Sequence, residues 1–161
     1  MQAKPQTEHG WLQKLVGEWT GEFECSMGPD QPPMTHTGRE VVRSLGGVWV
    51  VCEGEGEMPG GGLMQSIMTI GYDPLKQKFL GTFIASCMTH LWIYENGSLD
   101  TTGTILTLNA EGPSFSGDGT MVKYQDITEF KSDDHRTLSS QTLGPDGQWT
   151  RFMTAHYRRT K

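Results

Sequence analysis

The sequence has 161 residues, a net charge of −6, 21 glycines, 9 methionines and 35% hydrophobic residues. A chain of this length suits one domain that buries about two-thirds of its unfolded surface, so it needs no covalent staples. Its acidic balance argues against a phosphate track for nucleic acid and against an anionic membrane surface as partner.

The three cysteines, Cys25, Cys52 and Cys87, are odd in number, widely spaced and without a C-x-x-C pair. They therefore support neither a disulfide framework nor a zinc site. A reducing compartment follows, and with no apolar leader or long apolar run in the sequence the expectation is a cytoplasmic protein with no membrane partner.

In chain order, residues 1–6 read as a flexible tail. Thr7 can cap a short helix from Glu8 to about Val16, so that 7–16 form one unit with Trp11, Leu12 and Leu15 on one stripe. Two turns cannot stand alone, and the helix is expected to plug one end of a sheet. Leu15 to Met27 then carries the clearest strand. Trp19, Gly21, Phe23, Cys25 and Met27 share one face, and Glu18, Thr20, Glu22, Glu24 and Ser26 share the other.

Gly28 to Pro33 is a loop by its turn chemistry, and a second strand runs from about Thr35 to Ser44. Leu45-Gly46-Gly47 reverses the chain into Val48 to Met58. A three-residue loop would set Ser44 opposite Val48, Arg43 opposite Trp49, Val41 opposite Val51 and Arg39 opposite Glu53. Further strands are expected at about 63–72 after the Pro59 to Gly62 turn, then at 78–86, 88–95, 104–109, 121–131, 136–143 and 148–158. Asn96-Gly97 and Thr102-Gly103 read as turns, and Glu111 to Thr120 as a longer loop. Gly144-Pro145-Asp146-Gly147 fits a type I turn, with Thr142 facing Trp149.

About ten strands in sequential hairpins indicate an all-β, antiparallel up-and-down barrel, one domain over 1–161 with a short N-terminal helix. Closure also removes the exposed edges that an open sheet would leave.

Gly17-Glu18-Trp19, placed between a short helix and the first strand, resembles the G-x-W signature of lipocalin-like, or calycin, barrels. That resemblance implies that Trp19 closes the barrel floor and that a basic residue, Arg158 or Arg159, packs over it. With Y-D-P at 72–74, M-T-H-L-W-I-Y at 88–94, E-G-P-S-F at 111–115, K-Y-Q-D at 123–126 and the closing M-T-A-H-Y-R-R, the chain resembles a bacterial domain-of-unknown-function family with a lipocalin-like barrel. This implies a fold and no assigned activity. Nitrobindin-type haem barrels take a histidine from the last strand, but the neighbours of His156 here do not reproduce that pattern, so no cofactor is assigned.

The candidate site residues are His90, Trp92 and Tyr94 on one strand, together with Tyr124, Arg151 and Tyr157. Imidazole, indole and phenol on one inward face would line a cavity and orient a ligand. Core packing with backbone partners is the alternative. Arg151 alternates with Trp149, Met153, Ala155 and Tyr157, and an interior guanidinium would need an anion such as a ligand carboxylate; the alternative is that Arg151 snorkels at a rim or meets Glu129 or Asp126. Glu53, Glu55 and Glu57, about 7 Å apart, read as a solvated outer ladder answered by Arg39 rather than a metal site.

The expected function is therefore binding of a small, largely apolar ligand, with or without a carboxylate, inside the barrel. The alternatives are an enzyme with His90 as acid or base and Arg151 as electrostatic stabiliser, or a homo-oligomeric module with a filled barrel.

Overall fold

The computed structural model describes residues 2–26, 28–58 and 60–161. It comprises α1 (Thr7–Gln13), β1 (Gly17–Cys25), β2 (Met34–Leu45), β3 (Trp49–Glu57), β4 (Leu63–Asp73), β5 (Lys78–Ala85), β6 (Trp92–Leu99), β7 (Ile105–Pro113), β8 (Met121–Ser132), β9 (His135–Leu143) and β10 (Trp149–Arg159). Consecutive strands pair antiparallel and β1 pairs with β10, so the sheet closes into a ten-stranded barrel. The inward position expected for Met27 and the turn role expected for Pro59 lie outside the described residues.

The helix is shorter than its apolar stripe suggests. Gln6 precedes it, and the Nδ1 of His9 accepts the Gln6 N–H at 2.8 Å, which leaves the proton on Nε2 to reach the Tyr72 carbonyl at 3.1 Å. After Gln13 the backbone tightens into bonds spanning three residues, Leu15 N–H to Leu12 and Val16 N–H to Gln13, as helix ends often do. This tightening turns Leu15 inward beside Leu12 and Trp11, all three buried. The Trp11 indole also donates to the Gly103 carbonyl at 2.7 Å, tying α1 across one end of the barrel.

Trp19 is the floor of that end. It is 1% exposed, its indole donates to the Leu15 carbonyl at 2.8 Å, and the Arg159 guanidinium lies 4.2 Å from its ring centre. The basic partner is thus Arg159; Arg158 falls on the opposite, outward face across from Thr20. Arg159 also donates to the Val16 carbonyl at 2.6 Å and the Lys14 carbonyl at 2.8 Å. Gly17 is required beside this latch, because its φ is +141° and a Cβ there would stand 2.5 Å from both the Arg159 guanidinium and the Lys161 carbonyl oxygen.

Two strand registers differ from the expected ones. Gly46 and Gly47 both take positive φ, so the three-residue loop is Gly46-Gly47-Val48 and Leu45 faces Trp49. This is a shift of two residues, which preserves every side chain's face: Arg39 answers Glu55 instead of Glu53, at 2.7 Å. In the last hairpin Gly144 bonds Gln148, which sets Thr142 against Thr150 and Leu143 against Trp149.

A third difference reshapes the site. Asn96-Gly97 is a bulge within β6, where pairing with both neighbours shifts and Asn96 takes φ +55°. The true turn follows at Asp100, whose carboxylate accepts the Thr104 and Ile105 N–H groups at 2.9 and 3.0 Å. The strand therefore begins at Trp92, and His90 belongs to the loop before it.

Candidate functional site

Alternation along each strand sends one set of side chains into the barrel, and these fall into three layers. The lowest is sealed against α1: Trp19, Val50 and Leu106, with Leu12 of the helix, are at most 1% exposed. Such burial contributes about 1.5–3 kcal/mol per large aliphatic side chain.

The middle layer carries charge. Arg136, on β9, is 3% exposed and forms an ion pair with Glu40 of β2. Its guanidinium lies 4.1 Å from the ring centre of Tyr157 and 4.6 Å from that of Trp19. This cation is committed on three sides. Burial, then the Glu40 carboxylate, pushes the Tyr157 phenol well above its usual range, and the same two causes raise the Cys52 thiol, so both remain protonated.

One step toward the other end, Asp126 of β8 accepts hydrogen bonds from the Tyr94 hydroxyl on one oxygen and the Ser140 hydroxyl on the other. Burial raises the Asp126 carboxyl above the ordinary range, and the Ser140 and Tyr94 bonds offset part of that rise. Burial, then the Asp126 charge, raises Tyr94 strongly, so the phenol keeps its proton and stays the donor.

The third layer is a cup of incompletely buried side chains. Inward-facing Phe23, Met68, Phe83, Trp92, Asp126 and Met153 retain partial accessibility although they point into the barrel. Around its mouth the rings pack edge to face: His90 on Trp92 at 4.8 Å, Trp92 on Tyr124 at 4.9 Å, and Phe115 on Phe152 at 5.0 Å. Phe115 is 71% exposed. Opposite this aromatic rim the wall is thin, because Gly38, Gly54 and Gly56 face inward on β2 and β3. A Cβ on Gly54 would stand 2.6 Å from the Ser66 hydroxyl. Two shallow depressions also mark the outside of the barrel, one over β1–β4 and one over β10, β1 and β2, lined largely by outward glutamates and threonines.

The sequence-selected residues are divided among these layers. His90, Trp92 and Tyr124 meet at the mouth, where His90 Nε2 contacts the Glu111 carbonyl at 3.1 Å and the Tyr124 hydroxyl donates to the Pro113 carbonyl at 2.6 Å. Tyr94 sits deeper with Asp126, and Tyr157 lies near the floor under Arg136. Arg151 joins none of them. The pairing shifts between Arg151 and Met153, so Phe152 joins the inner aromatic group and Arg151 stands exposed outside. Sequence reasoning misses Arg136, Glu40 and Ser140 and offers Asp126 only as a partner for Arg151, although Asp126 shares its strand face with Tyr124 and Thr128.

A family model for DUF1579, described as a protein of unknown function, matches residues 4–159. The chain belongs to the DUF1579 family. No curated protein matches it. The DUF1579 barrel is similar in fold to the crystal structure of Rv2717c from M. tuberculosis, at 13% identity over 98% of this chain and 100% of that one, with a TM-score of 0.64. It is likewise similar to the S-type phycobiliprotein lyase CPES from Guillardia theta, at 11% identity, 98% and 99% coverage and a TM-score of 0.62. A de novo designed fluorescence-activating β-barrel shares 14% identity over 92% and 96% of the two chains, with a TM-score of 0.50. At such identities the shared feature is the barrel itself. Among the described residues, no helix of this DUF1579 protein is long and apolar enough to cross a membrane.

Proposed function

We propose that this barrel binds a small, largely apolar molecule in its interior cup. The observation that carries this reading is the contrast within one inner surface: the floor side chains are sealed, while Phe23, Met68, Phe83, Trp92 and Met153 face inward and stay accessible. Apolar surface left wet inside a fold gains from a guest that covers it. Met68 and Met153 suit such a lining because the thioether adapts to irregular shapes. One structural neighbour, a designed fluorescence-activating barrel, supports the idea that this architecture can hold a guest. The free thiols Cys25, Cys52 and Cys87 support a reducing, cytoplasmic setting.

Two measurements test the reading. Native mass spectrometry of protein purified from its own host is expected to show a bound small molecule, and a neutral apolar dye such as Nile red is expected to bind saturably at one site. Protein that carries nothing and leaves the dye in water would refute it.

A self-associating module is the second reading, favoured by the outer wall. Ile67 and Ile84 are direct cross-strand partners and are 42% and 48% exposed, with Ile93 at 52% on the next strand. Light scattering would show a dimer if this stripe is an interface, and a monomer at all concentrations would end the idea.

A further inference from the structure

Resting on the proposal that the cup binds a guest, we infer that the guest is an apolar amine, held by its ammonium group against Asp126 and by its carbon skeleton against the aromatic mouth.

The argument begins with a charge balance inside the barrel. Arg136 is paired with Glu40 and covered by the Trp19 and Tyr157 rings, and its Nε, though without a hydrogen-bond partner, is buried, so this interior cation turns no accessible side toward an anionic guest. Arg151, which would have served a carboxylate, stands outside the barrel. Asp126 remains as an interior carboxylate with no cationic partner among the described residues. Its two bonds come from neutral hydroxyls, one to each oxygen. Each carboxylate oxygen has about two acceptor sites, so one on each is left unfilled by these bonds.

Donors that keep their protons fix the carboxylate as acceptor and aim it. Tyr94 and Ser140 approach from different strands and hold both oxygens, so the group cannot rotate away from an incoming N–H. An ammonium supplies both the missing charge and up to three donors, and such charge-assisted bonds are about twice as strong as neutral ones. Nearer the solvent, Trp92, Tyr124, Phe115 and Phe152 form the mouth. Aromatic faces attract cations and also cover apolar carbon, which suits a guest whose charged end must pass them to reach Asp126. A carboxylate guest would meet the opposite conditions, with an unpaired anion below and the interior Arg136 already paired with Glu40.

Three matched guests separate this inference from the reading on which it rests. Decylamine, decanol and decanoate are titrated into the wild-type protein below their aggregation concentrations, with binding followed by calorimetry and tryptophan fluorescence. The amine is expected to bind at least about tenfold more tightly than the alcohol, the gain of one hydrogen bond to a charged group, and decanoate more weakly than either. Asp126→Asn is expected to bring amine and alcohol to the same affinity while decanol binding persists. If the three bind alike, or decanoate binds best, the amine assignment is overturned and the binding barrel survives. If decanol and Nile red also fail to bind, both readings fall together. The comparison on wild-type protein decides the matter even if Asp126→Asn does not fold. Tyr94→Phe supplies a second variant, expected to weaken the amine preference without removing decanol binding.

Discussion

The two ends of this barrel use the same strands to opposite purposes. At the α1 end, large side chains from every direction meet and Trp19 is covered by Leu15 below and two guanidinium groups above. At the other end, glycines on β2 and β3 thin one wall while Trp92, Tyr124, Phe115 and Phe152 pack edge to face around the rim. Stability is concentrated where packing is complete, and the proposed guest site lies where packing is less complete. The boundary between them is polar: Glu40, Arg136, Asp126, Tyr94 and Ser140 span the barrel at mid-height.

That boundary is the most sensitive place to disturb. Arg136→Met leaves Glu40 buried and unpaired, and is expected to cost about 3–5 kcal/mol in chemical denaturation. Replacing Glu40 with Met as well should recover most of the loss, because a buried ion pair exchanged for apolar side chains of similar volume is often neutral. A double variant as unstable as the single one would mean that the pair, rather than the unpaired charge, matters.

Asp126 gives a smaller effect with a definite sign. Its carboxyl titrates higher in the folded barrel than in the open chain, so between the ordinary carboxylate value and that raised value the folded state binds more protons. Its contribution to stability is full below that window and is lost as pH rises through it. The wild-type melting temperature, measured relative to Asp126→Asn, should therefore increase as pH falls through the window. Glu55, Asp100 and Asp118, held below their ordinary values chiefly by side-chain hydrogen bonds, lose their contributions at lower pH in both proteins and cancel in the difference. A pH-independent difference would contradict the buried carboxylate.

At the mouth the expected order of effects reverses. Phe115→Ala should change stability by no more than about 0.5 kcal/mol, as for an exposed site, while weakening Nile red binding several-fold. Arg151→Ala should change neither quantity measurably. Any loss of dye binding in that variant would bring the exposed arginine back to the site.

The wall of the barrel is legible in the residues. Alternation from Trp19 to Cys25, hairpin spacing and the Gly17-Glu18-Trp19 motif lead to a closed meander with Trp19 at its floor, because these signals are local and repeat with period two. The site is harder to read for a physical reason. Asn96-Gly97 has the same positive-φ chemistry in a bulge as in a hairpin turn, so its spacing starts the strand bearing Trp92 and Tyr94 too early and draws His90 into it. Phe152 carries no mark of the bulge that exchanges its face with that of Arg151. Asp126 does share a face with Tyr124, but an acid on a strand ordinarily means solvent, and only the convergence of Tyr94 and Ser140 from other strands makes it an interior group. Arg136 is similarly hidden at the edge of its strand, with Glu40 supplied from far along the chain.

The latch at the closed end also sets an order of events in synthesis. β1 leaves the ribosome before every other strand of the barrel, yet the strand that completes it is β10, and 138 residues separate Thr20 from Arg158. Contacts of this range are slow to form because a long loop must close before they give any return. Until then the Trp19 edge of β1 has only β2 beside it, and a nascent barrel presents two unpaired edges to its neighbours. Pairing of β10 with β1 ends this exposure and Arg159 fastens it by gripping the backbone at Lys14 and Val16, so the window in which the chain can aggregate closes only with the arrival of the barrel's last strand.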